Sequence, residues 1–181
     1  MITGPSGVGK GTLIRGLMDR MPALELAVSA TTRAPRPGER AGVDYHFLDA
    51  AEFDRLVAAG EFVEHAEYSG NRYGTLRAEL DARTARGRPV VLEIELQGAR
   101  QVRAAVAEAV AVFVAPPSFD TLLERLTGRG TDTPAQVQRR LSTARGELAA
   151  QGEFRHVVVN DQLETAIEEL EQIVRQELDY R

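Results

Sequence analysis

The sequence predicts an α/β fold in which a mostly parallel sheet is flanked by helices. Three observations carry that prediction. Short strand-like runs alternate with helical patterns of 10 to 18 residues, the signature of βαβ units. The run Pro89–Leu96 (PVVLEIEL) is rich in β-branched and apolar residues, as buried parallel strands are. A glycine-rich turn, Gly4–Gly11, joins a stub of strand directly to an apolar-periodic helix.

Taken in order, Met1–Thr3 forms the strand stub, and Leu13, Ile14, Leu17, Met18 and Met21 give the first helix its apolar face. Leu24–Ala30 reads as a strand. Arg33–Gly42 (RAPRPGERAG) holds too much Pro, Gly and Arg for a regular element. Val43–Leu48 is extended, and Asp49 with Glu52 forms a capping box for a short helix that stops at Gly60. Phe62–Tyr68 reads as a strand and Thr75–Arg86 as a helix ended by Gly87 and Pro89. After the Pro89–Leu96 strand come a helix over Gly98–Ala109 and a strand over Val110–Ala115. Ser118 caps a helix carrying Phe119, Leu122, Leu123 and Leu126 on one face. The stretch Gly128–Asp132 breaks that helix, and Thr133, Pro134 and Gln136 start the next. His156–Val159 is the last strand and Leu163–Leu178 the last helix, an amphipathic element predicted to dock on the sheet.

The 181 residues hold 43% hydrophobic and 27% charged residues, which is the balance of a folded globular chain and not of a disordered one. With 22 basic and 27 acidic residues the net charge is −5, so no positive field favours nucleic-acid binding. Cysteine is absent, which removes disulfides, thiolate zinc sites and cysteine nucleophiles. No run is long enough for a membrane-spanning helix and no signal-peptide layout opens the chain, so a cytoplasmic location without membrane contact is expected. His46, His65 and His156 lack metal-ligand spacing.

Gly4–Lys10 (GPSGVGK) fits G-x-x-x-x-G-K in the strand-turn-helix context that gives the motif meaning. Backbone N–H groups from Gly4, Pro5, Ser6, Gly7, Val8, Gly9, Lys10, Gly11 and Thr12, proline excepted, can curl around phosphate oxygens, and the helix N-terminus adds positive potential. Of the 22 basic residues Lys10 is the one lysine, placed where a planar guanidinium would overfill the loop. The slot after Lys10, usually Ser or Thr, is Gly11. Mg²⁺ is therefore expected to be held mainly by phosphates and waters, with Thr12 the one candidate side-chain ligand. This suits a nucleotide kinase better than a GTPase.

Such a kinase needs a second phosphate site and cover for the transferring group. Arg33 and Arg36, in a loop stiffened by Pro35 and Pro37, suit a bidentate phosphate clamp, and Tyr45 and Tyr73 can add hydroxyl donors. Spacing alone equally fits a solvated loop. Arg125, Arg129, Arg139 and Arg140 flank the glycine-broken segment, the pattern of a lid that carries arginines to a phosphoryl group, or of an Arg-rich helix surface.

The blocks GPSGVGKGT, VSATTRAPRPGE, VDYHF, GEFVEHAEYSGNRYGT, LEIELQG, VFVAPPS, RLTGRGTDT and VVVND resemble bacterial-type guanylate kinases in order and spacing along almost the whole chain. The resemblance implies the nucleoside-monophosphate kinase fold and transfer of a phosphoryl group from ATP to GMP or dGMP with Mg²⁺. It implies a core over 1–28, 76–124 and 141–181, a GMP-binding subdomain over 29–75 and a lid over 125–140. Arg33, Arg36, Tyr45 and Tyr73 would hold the GMP phosphate. Glu64 would accept from guanine N1–H and the N2 amino group, with Ser29 and Thr75 on the O6 and N7 side. Lys10, Arg125, Arg129 and Arg140 would stabilise the transferred phosphoryl, and Asn160 would lie near the ATP base. Glu95 stands near metal and acceptor where the family usually has Asp. The family usually has a longer apolar strand before the loop than Met1–Thr3, so either the start is truncated or the sheet has lost most of a central strand, and lower stability is expected. No obligate protein partner is implied. Interaction modules that resemble this family typically lack a working phosphate loop and lid, both intact here; a kinase for another acceptor would not need Glu64, Ser29 and Thr75 together.

Overall fold

The computed structural model describes residues 1–68, 70–127 and 134–179, without the side chains at 134–137 and 139. In chain order the elements are β1 (Ile2–Thr3), α1 (Lys10–Arg20), β2 (Glu25–Leu26), β3 (Ala30–Thr31), β4 (His46–Phe47), α2 (Ala50–Ala58), β5 (Phe62–Tyr68) and β6 (Asn71–Leu76). They continue with α3 (Arg77–Thr84), β7 (Val90–Val91), α4 (Leu96–Ala105), β8 (Val112–Ala115), α5 (Phe119–Thr127), α6 (Pro134–Ala149), a 3-10 turn (Ala150–Glu153), β9 (His156–Val159) and α7 (Leu163–Asp179). Contacts divide the chain into two compact units: Met1–Pro22 joined with the stretch from Val110 onward, and Ala23–Ala109.

The first unit is built on the parallel sheet β1-β8-β9, in which Ile2 lies opposite Val112 and Val112 opposite His156. β8, the central strand, is buried on both faces, which is why it reads Val-Phe-Val-Ala without alternation. Leu13, Ile14 and Leu17, at helical spacing, turn one face of α1 into the core beside Phe113, Leu122, Leu126 and Leu170. The sequence-predicted docking of the last helix holds. Ile167 of α7 packs where a side chain at Gly16 would stand, and Arg20 pairs with Glu164, Glu168 and Glu171 along one stripe. Ser118 caps α5 as predicted, accepting from Thr121 N–H at 3.0 Å.

The second unit holds the two-stranded parallel pair β2-β7 and a mixed sheet in the order β4-β3-β6-β5. Here β3 runs parallel to β4 and antiparallel to β6, and β5 and β6 form an antiparallel hairpin. Phe53 of α2 stacks on Phe62 at 4.5 Å over Ala30. Asp49 caps α2 through Glu52 N–H at 2.8 Å, while the Glu52 carboxylate turns to Arg55 instead of closing the box.

Several expected boundaries shift: the Gly98–Ala109 helix runs over Leu96–Ala105, and the strands expected over Val43–Leu48 and Val110–Ala115 shorten to His46–Phe47 and Val112–Ala115. The Leu24–Ala30 run splits into β2 and β3 because the Val28 N–H donates to the Glu79 carboxylate (2.8 Å) and not to a neighbouring strand. The Thr75–Arg86 helix starts at Arg77, since Asn71–Leu76 pairs along β5 through a turn that puts Gly70 at φ +77°. Of the Pro89–Leu96 run only Val90–Val91 forms a named strand, and α4 begins at Leu96. Among the described residues no helix is long and apolar enough to cross a membrane.

Candidate active site

In the first unit β1 delivers the chain into the phosphate loop. Gly4 has φ +141°, and any side chain there would run into the Val114 carbonyl of β8. Gly9 caps α1 in the left-handed region, φ +98°, with Asn160 Nδ2 at 2.6 Å from where a Cβ would be. Lys10 is buried, and its ammonium donates to the Gly4 carbonyl at 2.6 Å and the Pro5 carbonyl at 3.4 Å. The cation thus folds back across the mouth of the loop it closes.

Three more groups converge on this loop. Arg125, projecting from α5, donates to Asn160 O at 2.9 Å and Val8 O at 3.4 Å. Arg140 of α6 donates to Ser6 Oγ at 2.7 Å. Asn160, just after β9, is buried; its backbone N–H goes to Ala115 O and its side-chain amide to Val8 O, both at 2.8 Å. That bracing of the loop was not readable from spacing. Asn160→Ala is expected to cost about 1–3 kcal/mol of stability, because Val8 O loses a buried donor, and thermal melts measure the effect. Arg129 and the break at 128–133 lie outside the described residues, as does the side chain of Arg139.

In the second unit a cavity of about 210 Å³ is lined by Ser29, Tyr45, Glu64, Tyr73 and Glu95, five of the sequence-predicted residues. Asp44 and Glu93 line it too and were not singled out from the sequence. Strand alternation turns Glu64 and Ala66 of β5 inward, beside Tyr73 and Gly74 of β6. Glu64 is 3% exposed and faces Thr75 in the hairpin register; Thr75 Oγ1 donates to Glu64 Oε1 at 2.8 Å. Burial outweighs this hydrogen bond and, with Glu95 nearby adding like charge, pushes the Glu64 carboxyl up to about 7.

The arginine loop leaves β3. Thr31 Oγ1 accepts from Arg33 N–H at 3.1 Å and donates to Arg72 O at 3.0 Å, which ties the loop's base to β6. The Arg33 guanidinium lies 5.3 Å from the Tyr45 ring centroid, and the Tyr45 and Tyr73 rings meet edge to face at 6.2 Å. Arg33, Tyr45 and Tyr73 are therefore brought together. Arg36 is exposed and joins them through a residue not foreseen: Glu39 accepts from the Arg33 guanidinium and from Arg36 N–H, each at 2.7 Å. The Arg33 hydrogen bond holds the Glu39 carboxyl below its ordinary range. An acidic residue three positions after the second arginine was the available signal.

Glu95 occupies the N-cap of α4 without a side-chain capping bond, and its Oε2 is buried with no hydrogen-bond partner. Aspartate is the better cap at such a position. Glu95→Asp is therefore expected to leave the turnover rate equal or higher; a large fall in rate would refute this.

A hard divalent cation finds no protein cage: among the described residues no three His, Cys, Asp or Glu groups are grouped to hold a metal. Gly11 offers no hydroxyl, and the exposed Thr12 Oγ1 accepts from Arg15 at 3.3 Å. This donor set fits Mg²⁺ that keeps several waters and rides on nucleotide phosphates.

Residues 1–177 match the family described as guanylate kinase. A guanylate kinase from Frankia casuarinae is 57% identical over 166 residues, covering 92% of this chain and 90% of that protein. One from Thermobifida fusca is 56% identical over 170 residues, covering 94% and 87%. The crystal structure of a guanylate kinase from Anaplasma phagocytophilum superposes with a TM-score of 0.79 at 33% identity, covering 98% of this chain and 85% of that one.

Proposed function

The chain belongs to the guanylate kinase family, and we propose that its reaction is transfer of the γ-phosphoryl group of ATP to GMP or dGMP, giving ADP and GDP or dGDP. The observation that carries the choice of acceptor is Glu64, a carboxylate 3% exposed at the wall of a cavity and held at one oxygen by Thr75. Guanine offers N1–H and an exocyclic amino group side by side, two donors for one carboxylate. Adenine presents an acceptor at N1. A buried carboxylate facing that acceptor would lose its partner, which is how a hydrogen-bonding site rejects the wrong base by roughly 10⁴.

On this reading Ser29 and Thr75 take the O6 and N7 side of the base. Arg33, Arg36, Tyr45 and Tyr73 hold the acceptor phosphate, with Glu39 holding the Arg33 guanidinium and the Arg36 backbone until the phosphate arrives. Two guanidinium groups and two phenols give a charge-assisted clamp that fixes where the acceptor oxygen lies. On the donor side the loop from Gly4 to Thr12 cradles the ATP phosphates, and Asn160 keeps that loop in shape. Lys10, Arg125 and Arg140, with Arg129, balance charge as it moves from the γ-phosphoryl oxygens to the bridging oxygen. None of them forms a covalent intermediate. Mg²⁺ carried with ATP would neutralise β- and γ-oxygens, held mainly by those phosphates and by water.

The same reading assigns 29–75 to GMP, 125–140 to a lid and the remainder to the core. It puts the reaction in the cytoplasm, on small-molecule substrates, without nucleic acid, membrane or an obligate protein partner. A coupled ADP-release assay with ATP and Mg²⁺ tests it by offering GMP, dGMP, AMP, UMP and dTMP in parallel. Turnover with GMP alone among the ribonucleotides is expected. Turnover with AMP or UMP instead would point to a different acceptor. Silence with all five in a folded sample would revive a binding module.

A further inference from the structure

Gly98 stands in the first turn of α4, buried, where alanine would be the better helix former. The reason for glycine is not the backbone, which is helical there, but what faces it. A Cβ built on Gly98 would overlap Glu64 Oε2 and stand 2.9 Å from Glu64 Cδ and 3.3 Å from Cγ. The carboxylate of β5 therefore rests directly on the bare Cα of α4. The helix cannot back away, because Gln101, one turn on, clasps the strand beside Glu64: its Oε1 accepts from His65 N–H at 3.0 Å and its Nε2 donates to His65 O at 2.7 Å. On its other side the carboxylate is held by Thr75, whose Oγ1 donates to Oε1 at 2.8 Å.

We propose that Gly98 is a specificity-determining positioning residue, whose missing side chain, at a helix-strand spacing set by Gln101, seats the Glu64 carboxylate to read the acceptor base. The inference rests on the reading of Glu64 as the group that accepts from guanine. A methyl group at 98 would drive the carboxylate off its seat and leave the fold intact, because the overlapping atoms are the far end of a flexible side chain.

Four variants test this: Gly98→Ala, Glu64→Asp, the double variant, and Glu64→Gln. The readouts are KM for GMP and for ATP, kcat, the ratio of kcat/KM for GMP over IMP (which lacks the N2 amino group), and thermal melting. Gly98→Ala is expected to raise KM for GMP about 10- to 100-fold, the worth of a charge-assisted hydrogen bond. The GMP-over-IMP preference should shrink with it, while KM for ATP stays within about twofold, as no lost contact reaches that nucleotide. Aspartate is one methylene shorter and makes room for the new methyl, so the double variant should recover roughly tenfold over Gly98→Ala, a coupling that a purely structural glycine would not give. Should Gly98→Ala fail to fold, the double variant still decides: recovery of folding and GMP preference upholds the seat. Unchanged KM and base preference in Gly98→Ala, or a double variant no better than the two single losses combined, overturns it. If Glu64→Gln leaves GMP preference intact, the reading of Glu64 itself falls, whatever Gly98 does.

Discussion

Lys10→Ala is expected to lower kcat by about a thousandfold or more while leaving GMP binding nearly unchanged. The ammonium is the one lysine cation in a chain that otherwise uses arginine, and its reach is set by the loop it closes. In the phosphoryl-transfer step charge gathers on oxygens that backbone N–H groups alone cannot balance, and a preorganised donor lost from such a site costs roughly 10²–10³ or more. GMP binding should survive because the groups proposed above to hold it, Arg33, Tyr45, Glu64 and Tyr73, belong to the other compact unit. Lys10→Arg is expected to fall almost as far: the guanidinium is planar and larger than the ammonium that now bonds Gly4 O at 2.6 Å. Single-turnover kinetics with ATP, beside calorimetric titration of GMP, separate the two effects. A variant that keeps more than a tenth of the wild-type rate would remove Lys10 from the transition state. Stability should drop by about 1–3 kcal/mol, since the Gly4 carbonyl loses its donor.

What the sequence could reveal followed from how local each signal is. The phosphate loop was readable because all of its requirements, the glycines, the lysine and the strand before it, fall within ten residues. The arginine loop was readable as residue types but not as geometry; its base depends on Thr31 bonding to Arg72, forty-one residues away. Tyr73 was read as extended, but the bounds of the hairpin strand Asn71–Leu76 escaped pattern reading because Asn-Arg-Tyr-Gly-Thr has no apolar alternation; they come from pairing with β5. Similarly, the Leu24–Ala30 run looked continuous because nothing in it announces that Glu79, some fifty residues on, will take the Val28 N–H. Gly98 and Gln101 were invisible for the same cause. A missing side chain matters only relative to the strand it faces. Glu64 could be named from resemblance, but its burial, and hence its altered acidity, could not.

That acidity makes the second large prediction. On the proposed role of Glu64, KM for GMP is expected to rise about tenfold for each pH unit below 7, because only the ionised carboxylate would accept both guanine donors and burial lifts its pKa to about 7. The phosphate of GMP takes up a proton near pH 6, which steepens the rise further for any variant. Glu64→Gln separates the two. It should cut kcat/KM for GMP by roughly 10³–10⁴ at pH 8 and keep only the phosphate-linked part of the pH profile. Stability must move the opposite way. The folded pKa lies above the ordinary 4.5, so the folded state favours the protonated carboxyl. Its stabilising contribution is complete below 4.5, is lost as the pH rises toward 7, and stays lost above, a change of about 3 kcal/mol. Glu64→Gln, neutral throughout and still able to accept from Thr75, should therefore melt higher than wild type at pH 8, with the gap closing toward pH 4.5. Melting curves of both proteins between pH 4.5 and 8.5 measure the difference. A gap that is flat with pH would mean that Glu64 is already ionised in the fold at pH 5, and KM for GMP would then follow the phosphate alone. The opposed slopes, tighter GMP binding and weaker folding as pH rises, are what one buried carboxylate produces when its charge serves the ligand and strains the fold.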